Sequence, residues 1–452
     1  MSSATLLATA GYDHGIRFWE VATGVPYRTI QFGDSQVNRL RFSPDRLLLA
    51  AAGNPRISLF DVSSSNPNPF YVCDGHKGNV MSVEFGQLAT AAPSGSGGGT
   101  SLLVSCSDDA TMKVWDTRTQ GAVQTLQNTS ADPLTDFCLV GTRHGVSVDA
   151  GGMIKVWDMT MGKLVSAVAP PPPLPPPETN TGFASSSRSA TSTSLQSLSL
   201  HSPTGRLAAS CKTGTVFIYK LDFADPQLIQ PAQSLPSSMQ ASEGAPLSSS
   251  SSFPPQSGPS SSSPQPSSPQ HPTGKSSSSS TARADGANLL SLETVVPVHR
   301  RYILRVGWSA DGKMLATAQD DGSVRIWTEQ ERDAAVRDGA TDGHVSDVGS
   351  GSLPFDHQQL AGHQAQSGAP GVAGAGGAAT TNFRNVAVLA GHQRWVWDFS
   401  FTPDSQHLFS ASSDKKALLW DVGSAAVVRE YVGHQKAITC LAVAYSSEQE
   451  GL

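Results

Sequence analysis

Residues 309–327 read SADGKMLATAQDDGSVRIW. An Asp-Gly pair stands before and after an apolar run, and a β-branched run that closes on an aromatic residue follows. Asp-Gly pairs suit tight chain reversals, and short runs rich in β-branched residues are typical of strands. The stretch therefore predicts two antiparallel strands joined by a tight turn.

The second run of this stretch recurs along the chain, giving seven versions in all. They are IRFWE, ISLFD, MKVWD, IKVWD, VFIYK, VRIWT and ALLWD, with the aromatic residues Trp19, Phe60, Trp115, Trp157, Tyr219, Trp327 and Trp420. Two of the intervals, 41 and 42 residues, equal the period of a four-stranded propeller blade. The sequence therefore predicts an all-β fold, a seven-bladed WD-repeat β-propeller with disordered low-complexity loop insertions.

The four longer intervals each contain a low-complexity segment. The segments are rich in Gly, Pro, Ser or Ala and lie at about 91–100, 169–192, 222–287 and 332–382. Such compositions bury too little apolar surface to become ordered, so we expect disordered loops there. With the three longest set aside, about 44 residues remain for each repeat, which matches one blade.

The two ends of the chain predict how the ring closes. TLLATAG near the N-terminus resembles the second strand of a blade, and GHQKAITCLAVA near the C-terminus resembles a first strand. We therefore expect a single propeller over residues 1–452, in which 436–444 pair with the N-terminal blade. This closure leaves no open sheet edge between the ends.

Composition argues against several classes of function. The net charge is −6, whereas a nucleic-acid binder needs a basic surface. The five cysteines form no CxxC pair, and we expect no metal, no cofactor and no small-molecule substrate. No apolar run is long enough to span a membrane, and the N-terminus does not resemble a signal peptide. These features predict a soluble protein of a reducing compartment, cytoplasmic or nuclear.

Four repeats share a hydroxyl residue, an aspartate, a tryptophan and a histidine at matching places. The sets are Thr9, Asp13, Trp19 and His434; His76, Ser105, Asp109 and Trp115; His299, Thr317, Asp321 and Trp327; and His392, Ser410, Asp414 and Trp420. Hydrolases also use Ser, His and Asp, but a catalytic site occurs once whereas this set occurs four times. We therefore expect buried structural hydrogen-bond networks, no catalytic residues and no enzyme activity.

The other three blades depart from this pattern. Asn54, Gly151 and Thr213 stand where the aspartate is expected, and Asp149 is displaced by two positions. We expect these blades to be less rigid or to depend on their neighbours. Residues 134–152 also look too short for two full strands and a turn.

Large side chains in the loops that lead into first strands are candidates for partner binding. Trp395, Trp397 and Tyr302 lie in such loops, and Gln36 and Asn38 hold the equivalent place in another repeat. Trp and Tyr dominate the energetic centres of protein interfaces. The alternative is structural: Trp397 packs within the ring and Tyr302 caps a blade.

Several segments resemble the small WD-repeat subunit of target-of-rapamycin (TOR) kinase complexes, also called G-protein-β-subunit-like protein. They include NPNP at 66–69, RRYILR at 300–305 and REYVGHQKA at 429–437. The resemblance implies a non-catalytic subunit of both TOR complexes that binds and stabilises the kinase catalytic domain and supports nutrient-responsive growth. It further implies that the kinase is contacted by Gln36, Asn38, Tyr302, Trp395 and Trp397.

The resemblance also implies other TOR-complex subunits as partners and a cytoplasmic location, peripheral on endomembranes through the complex. The alternative is another WD-repeat scaffold, such as a ubiquitin-ligase substrate receptor or a G-protein β-like adaptor. A G-protein β-subunit would carry a long N-terminal coiled-coil helix, and a ligase receptor often carries an adaptor-binding motif outside the ring. The sequence shows neither feature and leaves open which TOR complex is served.

Overall fold

The computed structural model describes residues 5–33, 35–87, 102–119, 121–172, 194–222, 289–298, 301–330 and 382–445. Within these ranges the regular secondary structure consists of 28 β-strands. The four predicted inserts lie almost entirely outside the described residues. His299 also lies outside them.

The strands form seven antiparallel four-stranded sheets, which we number as blades in chain order. Blade 1 contains β1 (Leu6–Gly11), β2 (Gly15–Glu20) and β3 (Val25–Gln31). Blade 2 contains β4 (Arg39–Phe42), β5 (Leu48–Ala52), β6 (Ile57–Asp61) and β7 (Tyr71–Cys73). Blade 3 contains β8 (Val80–Gly86), β9 (Leu102–Ser107), β10 (Thr111–Trp115) and β11 (Ala122–Gln127).

Blades 4 to 7 repeat this arrangement. Blade 4 contains β12 (Leu134–Val140), β13 (His144–Asp149), β14 (Ile154–Asp158) and β15 (Lys163–Val168). Blade 5 contains β16 (Leu195–His201), β17 (Arg206–Cys211), β18 (Thr215–Leu221) and β19 (Leu290–Pro297). Blade 6 contains β20 (Ile303–Trp308), β21 (Met314–Gln319), β22 (Ser323–Gln330) and β23 (Asn382–Ala390). Blade 7 contains β24 (Val396–Phe401), β25 (His407–Ser412), β26 (Lys416–Asp421) and β27 (Ala426–Val432).

The last strand, β28 (Ile438–Ala444), belongs to blade 1 and pairs with β1 from Leu6↔Ala444 to Gly11↔Ile438. The first strands of the blades, β4, β8, β12, β16, β20 and β24, together with β28, contact one another in a closed circle. They are the inner strands of the ring. The predicted all-β, seven-bladed WD-repeat propeller is confirmed.

The hydrophobic core lies between neighbouring blades. One cluster joins Ala8 and Phe18 of blade 1 to Leu40 and Phe60 of blade 2, and all four side chains are buried. A single blade cannot bury both of its faces, so each depends on its two neighbours. This packing explains why runs such as ALLW are apolar on both faces.

Blade 4 is complete, and the expectation that residues 134–152 are too short for two strands and a turn was wrong. A three-residue turn, 141–143, connects β12 to β13. Gly141 in this turn has a φ of 59°, a conformation that glycine adopts without strain. The short connection leaves enough residues for both strands.

Candidate functional site

In six of the seven blades, the turn between the second and third strands donates a backbone hydrogen bond to the loop that leads into the inner strand. The amides of Tyr12, Asp108, Ala150, Lys212, Asp320 and Ser413 donate to the carbonyls of Ala437, Asn79, Pro133, Ser194, Tyr302 and Trp395. These loops and turns therefore lie on the same side of the ring. We call this side the upper face.

The predicted networks lie directly below the upper face. In blade 3, the indole of Trp115 donates to Ser105 Oγ at 2.8 Å, and His76 Nε2 lies 2.8 Å from the same oxygen. His76 Nδ1 lies 3.0 Å from Asp109 Oδ2. Because the serine oxygen accepts from the indole, its own proton is available for His76 Nε2, and Nδ1–H then donates to the aspartate.

Blades 1 and 7 have the same arrangement. The indole nitrogens lie 2.7 Å and 2.8 Å from Thr9 Oγ1 and Ser410 Oγ, and the histidine Nε2 atoms lie 2.8 Å and 2.7 Å from those hydroxyls. The histidine Nδ1 atoms lie 3.0 Å and 2.8 Å from the aspartates. The structure thus joins Thr9, Asp13, Trp19 and His434, and likewise His392, Ser410, Asp414 and Trp420.

The electrostatics of the networks in blades 1 and 3 favour a neutral histidine and a charged aspartate. Burial lowers the pKa of His76 and of His434, although their aspartates act in the opposite direction. Burial alone would raise the pKa of Asp109, but hydrogen bonds from Thr111, from the Lys77 amide and from His76 lower it to about 2. The hydroxyls of Thr9, Ser105 and Ser410 belong to residues that are 0% exposed.

Blade 6 shows only part of the fourth predicted set. The indole of Trp327 donates to Thr317 Oγ1 at 3.1 Å. Asp321 accepts from the Ser323 hydroxyl at 2.6 Å. Because His299 lies outside the described residues, its predicted place in this network stays a prediction.

Blade 4 replaces the histidine network with a buried ion pair that the sequence did not predict. Lys155 Nζ lies 2.7 Å from Asp149 Oδ2, and these side chains are 3% and 0% exposed. Asn128, in the loop that leads into β12, contacts both Lys155 Nζ and Asp149 Oδ2. The indole of Trp157 still donates to a serine, Ser147, at 2.8 Å. The displaced Asp149 therefore satisfies the buried polar groups of blade 4 through an ion pair instead of a histidine network.

Three of the five predicted partner-binding residues are aromatic and lie on the upper face. Trp395 and Tyr302 are 45% and 55% exposed and hold equivalent places in blades 7 and 6, since each carbonyl accepts from the neighbouring turn. The Trp395 and Trp397 rings lie 5.7 Å apart. The Trp397 indole donates to Ser413 Oγ at 2.6 Å, which fixes that ring and leaves Trp395 as its exposed neighbour.

The two polar residues predicted in blade 2, Gln36 and Asn38, are less available for binding a partner. The side-chain amide of Asn38 donates to the Val80 carbonyl of blade 3 at 3.0 Å, so it connects two inner strands. Gln36 is partly exposed, and its carbonyl accepts from Ser35 Oγ at 3.3 Å. Blade 1 lies between these residues and the aromatic residues of blade 7.

Sequence reasoning missed one exposed aromatic residue on the upper face. Tyr12 is 42% exposed in the β1–β2 turn of blade 1, next to blade 7. Tyr12, Tyr302, Trp395 and Trp397 therefore occupy three consecutive blades, and we call them the aromatic patch. The available signal was position, because Tyr12 stands immediately before Asp13 of the blade 1 network.

Sequence reasoning also missed a buried cluster of charges where the inner strands meet. Arg39 lies 3.1 Å from Asp136 and 3.5 Å from Asp398, and Arg305 lies 2.7 Å and 3.3 Å from the same two carboxylates. We call these four residues the axial cluster. Its residues come from blades 2, 4, 6 and 7, so it connects strands on different sides of the ring.

Two further features bear on the class of protein. Within the described ranges, no group of three or more His, Cys, Asp or Glu residues could hold a metal ion. Among the same residues, no helix is long and apolar enough to cross a membrane.

Comparisons with known proteins agree with this geometry. Residues 67–116, 290–328 and 383–421 match the family described as "WD domain, G-beta repeat". These matches fall on blades 2 and 3, on the junction of blades 5 and 6, and on blades 6 and 7.

Curated relatives carry more specific names. "Target of rapamycin complex subunit wat1" of Schizosaccharomyces pombe is 26% identical over 73% of this chain and 76% of its own length. "Target of rapamycin complex subunit LST8" of Saccharomyces cerevisiae is 35% identical over 48% of this chain and 62% of its own length. "Target of rapamycin complex subunit LST8-1" of Arabidopsis thaliana is 47% identical over 28% of this chain and 38% of its own length. The chain is a WD-repeat β-propeller protein, and its predicted resemblance to the small WD-repeat subunit of TOR complexes is confirmed.

Proposed function

We propose that this chain is a non-catalytic subunit of a TOR kinase complex, in which it binds and stabilises the kinase catalytic domain and supports nutrient-responsive growth signalling. Its relatives are named as TOR complex subunits, and this supports the class of complex. The proposal places the kinase on the upper face and other subunits of the complex elsewhere on the ring. It also places the protein in the cytoplasm.

The aromatic patch is the observation that carries this proposal. Trp395 and Tyr302 expose about half of their surface, yet their backbones are fixed by hydrogen bonds from neighbouring turns. A rigid exposed aromatic loses little conformational entropy when it becomes buried in a partner. Such residues are the usual energetic centres of an interface.

The charges around the patch indicate what the partner surface should offer. Arg301, Arg394, Lys415 and Lys436 are exposed in the loops and turns of the same three blades. The aspartates of two of these blades, Asp13 and Asp414, are engaged with histidines. We therefore expect a partner surface with an apolar centre and an acidic rim, and an association rate that falls with ionic strength.

The burial of the network hydroxyls supports a non-catalytic role. A Ser–His–Asp hydrolase needs an exposed nucleophile. Ser105 and Ser410 are 0% exposed, and each hydroxyl oxygen already accepts a hydrogen bond from a tryptophan indole. These two hydroxyls therefore stabilise the packing of their blades.

Affinity purification from the native cell, with partners identified by mass spectrometry, tests the proposal. We expect the wild-type protein to recover a TOR-type kinase, and the Trp395→Ala, Trp397→Ala double variant to lose it. Phe70→Ala is the matched control, because Phe70 is 67% exposed but lies in blade 2, outside the aromatic patch. Recovery of a ubiquitin-ligase adaptor or of G-protein subunits with no kinase would contradict the proposal.

A further inference from the structure

A cavity of about 310 Å³ lies beside the axial cluster. It is lined by residues of the inner strands β4, β16, β20, β24 and β28. Its polar lining consists of Arg41, Ser199, Arg305 and Ser400. Its size is within the range of sites that hold small molecules.

The charges around this cavity do not balance. The carboxylates of Asp136 and Asp398 are both engaged by Arg39 and Arg305. Arg41 adds a third guanidinium, and no carboxylate of the described residues lies within ion-pair distance of it. A guanidinium taken out of water without a counter-charge is unfavourable, so Arg41 favours an anion beside it.

Besides Asp398, Glu84 is the carboxylate that favours the charged form of Arg41. Its Oε2 accepts from the Leu139 amide at 3.1 Å, and no ion pair joins it to Arg41 within the described part of the chain. Burial raises the pKa of Glu84 to about 7, although Arg41 acts in the opposite direction. Glu84 is therefore partly protonated near neutral pH.

Hydrogen-bond donors remain available toward the cavity. Among the described residues, Arg41 makes one hydrogen bond, from Nη1 to the Leu40 carbonyl at 3.3 Å, which leaves most of its five N–H groups free. Ser199 Oγ accepts from the Trp308 amide at 3.1 Å, so its own proton can be donated. Within the described ranges, the one hydrogen bond of Ser400 Oγ is a long one of 3.4 Å to the Phe401 carbonyl.

We propose that this cavity is a binding site for a small phosphorylated anion, with Arg41 as its anchor and Ser199 and Ser400 as further donors. The planar guanidinium matches two phosphate oxygens at once, and hydroxyls from two other strands approach from different directions. Because β4, β16 and β24 belong to blades 2, 5 and 7, a bound anion connects separate parts of the ring. This site is independent of the aromatic patch.

Isothermal titration calorimetry on the full chain tests this site, with inorganic phosphate and glycerol 2-phosphate titrated separately at constant ionic strength. The two probes distinguish a free phosphate from a phosphate ester. We expect saturable binding in the micromolar to millimolar range. Arg41→Gln should raise Kd at least about tenfold, because charge-assisted hydrogen bonds are lost.

Three further variants fix the interpretation. Glu84→Gln removes the opposing carboxylate and should lower Kd severalfold, whereas the exposed Arg384→Gln, on β23, should leave Kd unchanged. Ser400→Ala should raise Kd by less than Arg41→Gln and retain the fold, as checked by circular dichroism. The proposal is overturned if the wild type shows no saturable binding of either probe, or if Arg41→Gln and Arg384→Gln bind as the wild type does.

Discussion

Blades 3 and 4 are neighbours that perform the same structural task with different chemistry. In blade 3, a neutral His76 connects Ser105 to Asp109. In blade 4, the ion pair of Lys155 and Asp149 connects β13 and β14 to the loop that leads into β12, through Asn128. Both blades retain the tryptophan–serine hydrogen bond.

The requirement that the two blades share is a satisfied buried network, whatever residues form it. A neutral network loses hydrogen bonds when one member is removed, at about 1–3 kcal/mol for each unsatisfied group. A buried ion pair leaves an uncompensated charge, which costs about 3–5 kcal/mol. Blade 4 should therefore be more sensitive than blade 3 to the loss of one member of its network.

The largest effect is expected for Lys155→Met. It leaves the buried Asp149 carboxylate without its cation and should lower the free energy of unfolding by about 3–5 kcal/mol. Lys113→Met is the matched control, because Lys113 stands at the same position in blade 3, two residues before Trp115, and its Nζ contacts only the exposed Thr125 hydroxyl. That control should change stability by less than about 0.5 kcal/mol. Urea denaturation of both variants measures the difference, and equal losses would refute the proposed contrast.

Ser410→Ala in blade 7 is expected to have the next largest effect. It removes the shared partner of the Trp420 indole and of His392 Nε2. Two buried groups are left unsatisfied, so we expect a loss of about 2–4 kcal/mol in the free energy of unfolding. Ser424→Ala, at an exposed turn of the same blade, is the control. A loss below about 0.5 kcal/mol for Ser410→Ala would show that water replaces the hydroxyl.

The pH dependence of stability should also distinguish the two blades. Burial lowers the pKa of His76 in the folded state, so below about pH 6.5 the unfolded chain binds the proton more readily. Stability should therefore fall as pH decreases from 7 to 5. His76→Gln should flatten this dependence more than Lys113→Met does, because Lys113 contributes less than burial to the lowered pKa of His76. The thermal unfolding midpoint at several pH values measures it, and parallel curves for wild type and His76→Gln would be inconsistent with a neutral histidine.

The smallest effect is expected in blade 5, which has neither kind of network. Tyr219 stands in the tryptophan position, and its buried hydroxyl has no hydrogen-bond partner among the described residues. Tyr219→Phe removes an unsatisfied polar atom and should leave stability unchanged or slightly higher, within about 0.5 kcal/mol. A clear loss in a denaturation experiment would indicate that the hydroxyl has a partner outside the described residues.

The blade count could be predicted because each repeat carries its own strand and turn signals. The networks of blades 1, 3 and 7 could be predicted because their spacing recurs in the sequence. The axial cluster could not, since Arg39 lies 97 residues from Asp136 and 359 from Asp398, and only ring closure brings these charges together. The ion pair of blade 4 was missed because Lys155 and Asn128 are ordinary surface residue types in a sequence, and the completeness of that blade was missed because its first turn, 141–143, is only three residues long.

The proposed function requires that the aromatic patch binds a TOR kinase catalytic domain. Its most direct test is the dissociation constant between the purified full chain and a purified TOR kinase catalytic domain, measured by biolayer interferometry for wild type, Trp395→Ala and Phe70→Ala. Loss of a central aromatic anchor typically costs at least about 2 kcal/mol, so Trp395→Ala should weaken binding about 30-fold or more. Phe70→Ala should bind as the wild type does. Equal affinities for wild type and Trp395→Ala, or no binding by the wild type, would show that the aromatic patch does not bind this kinase domain.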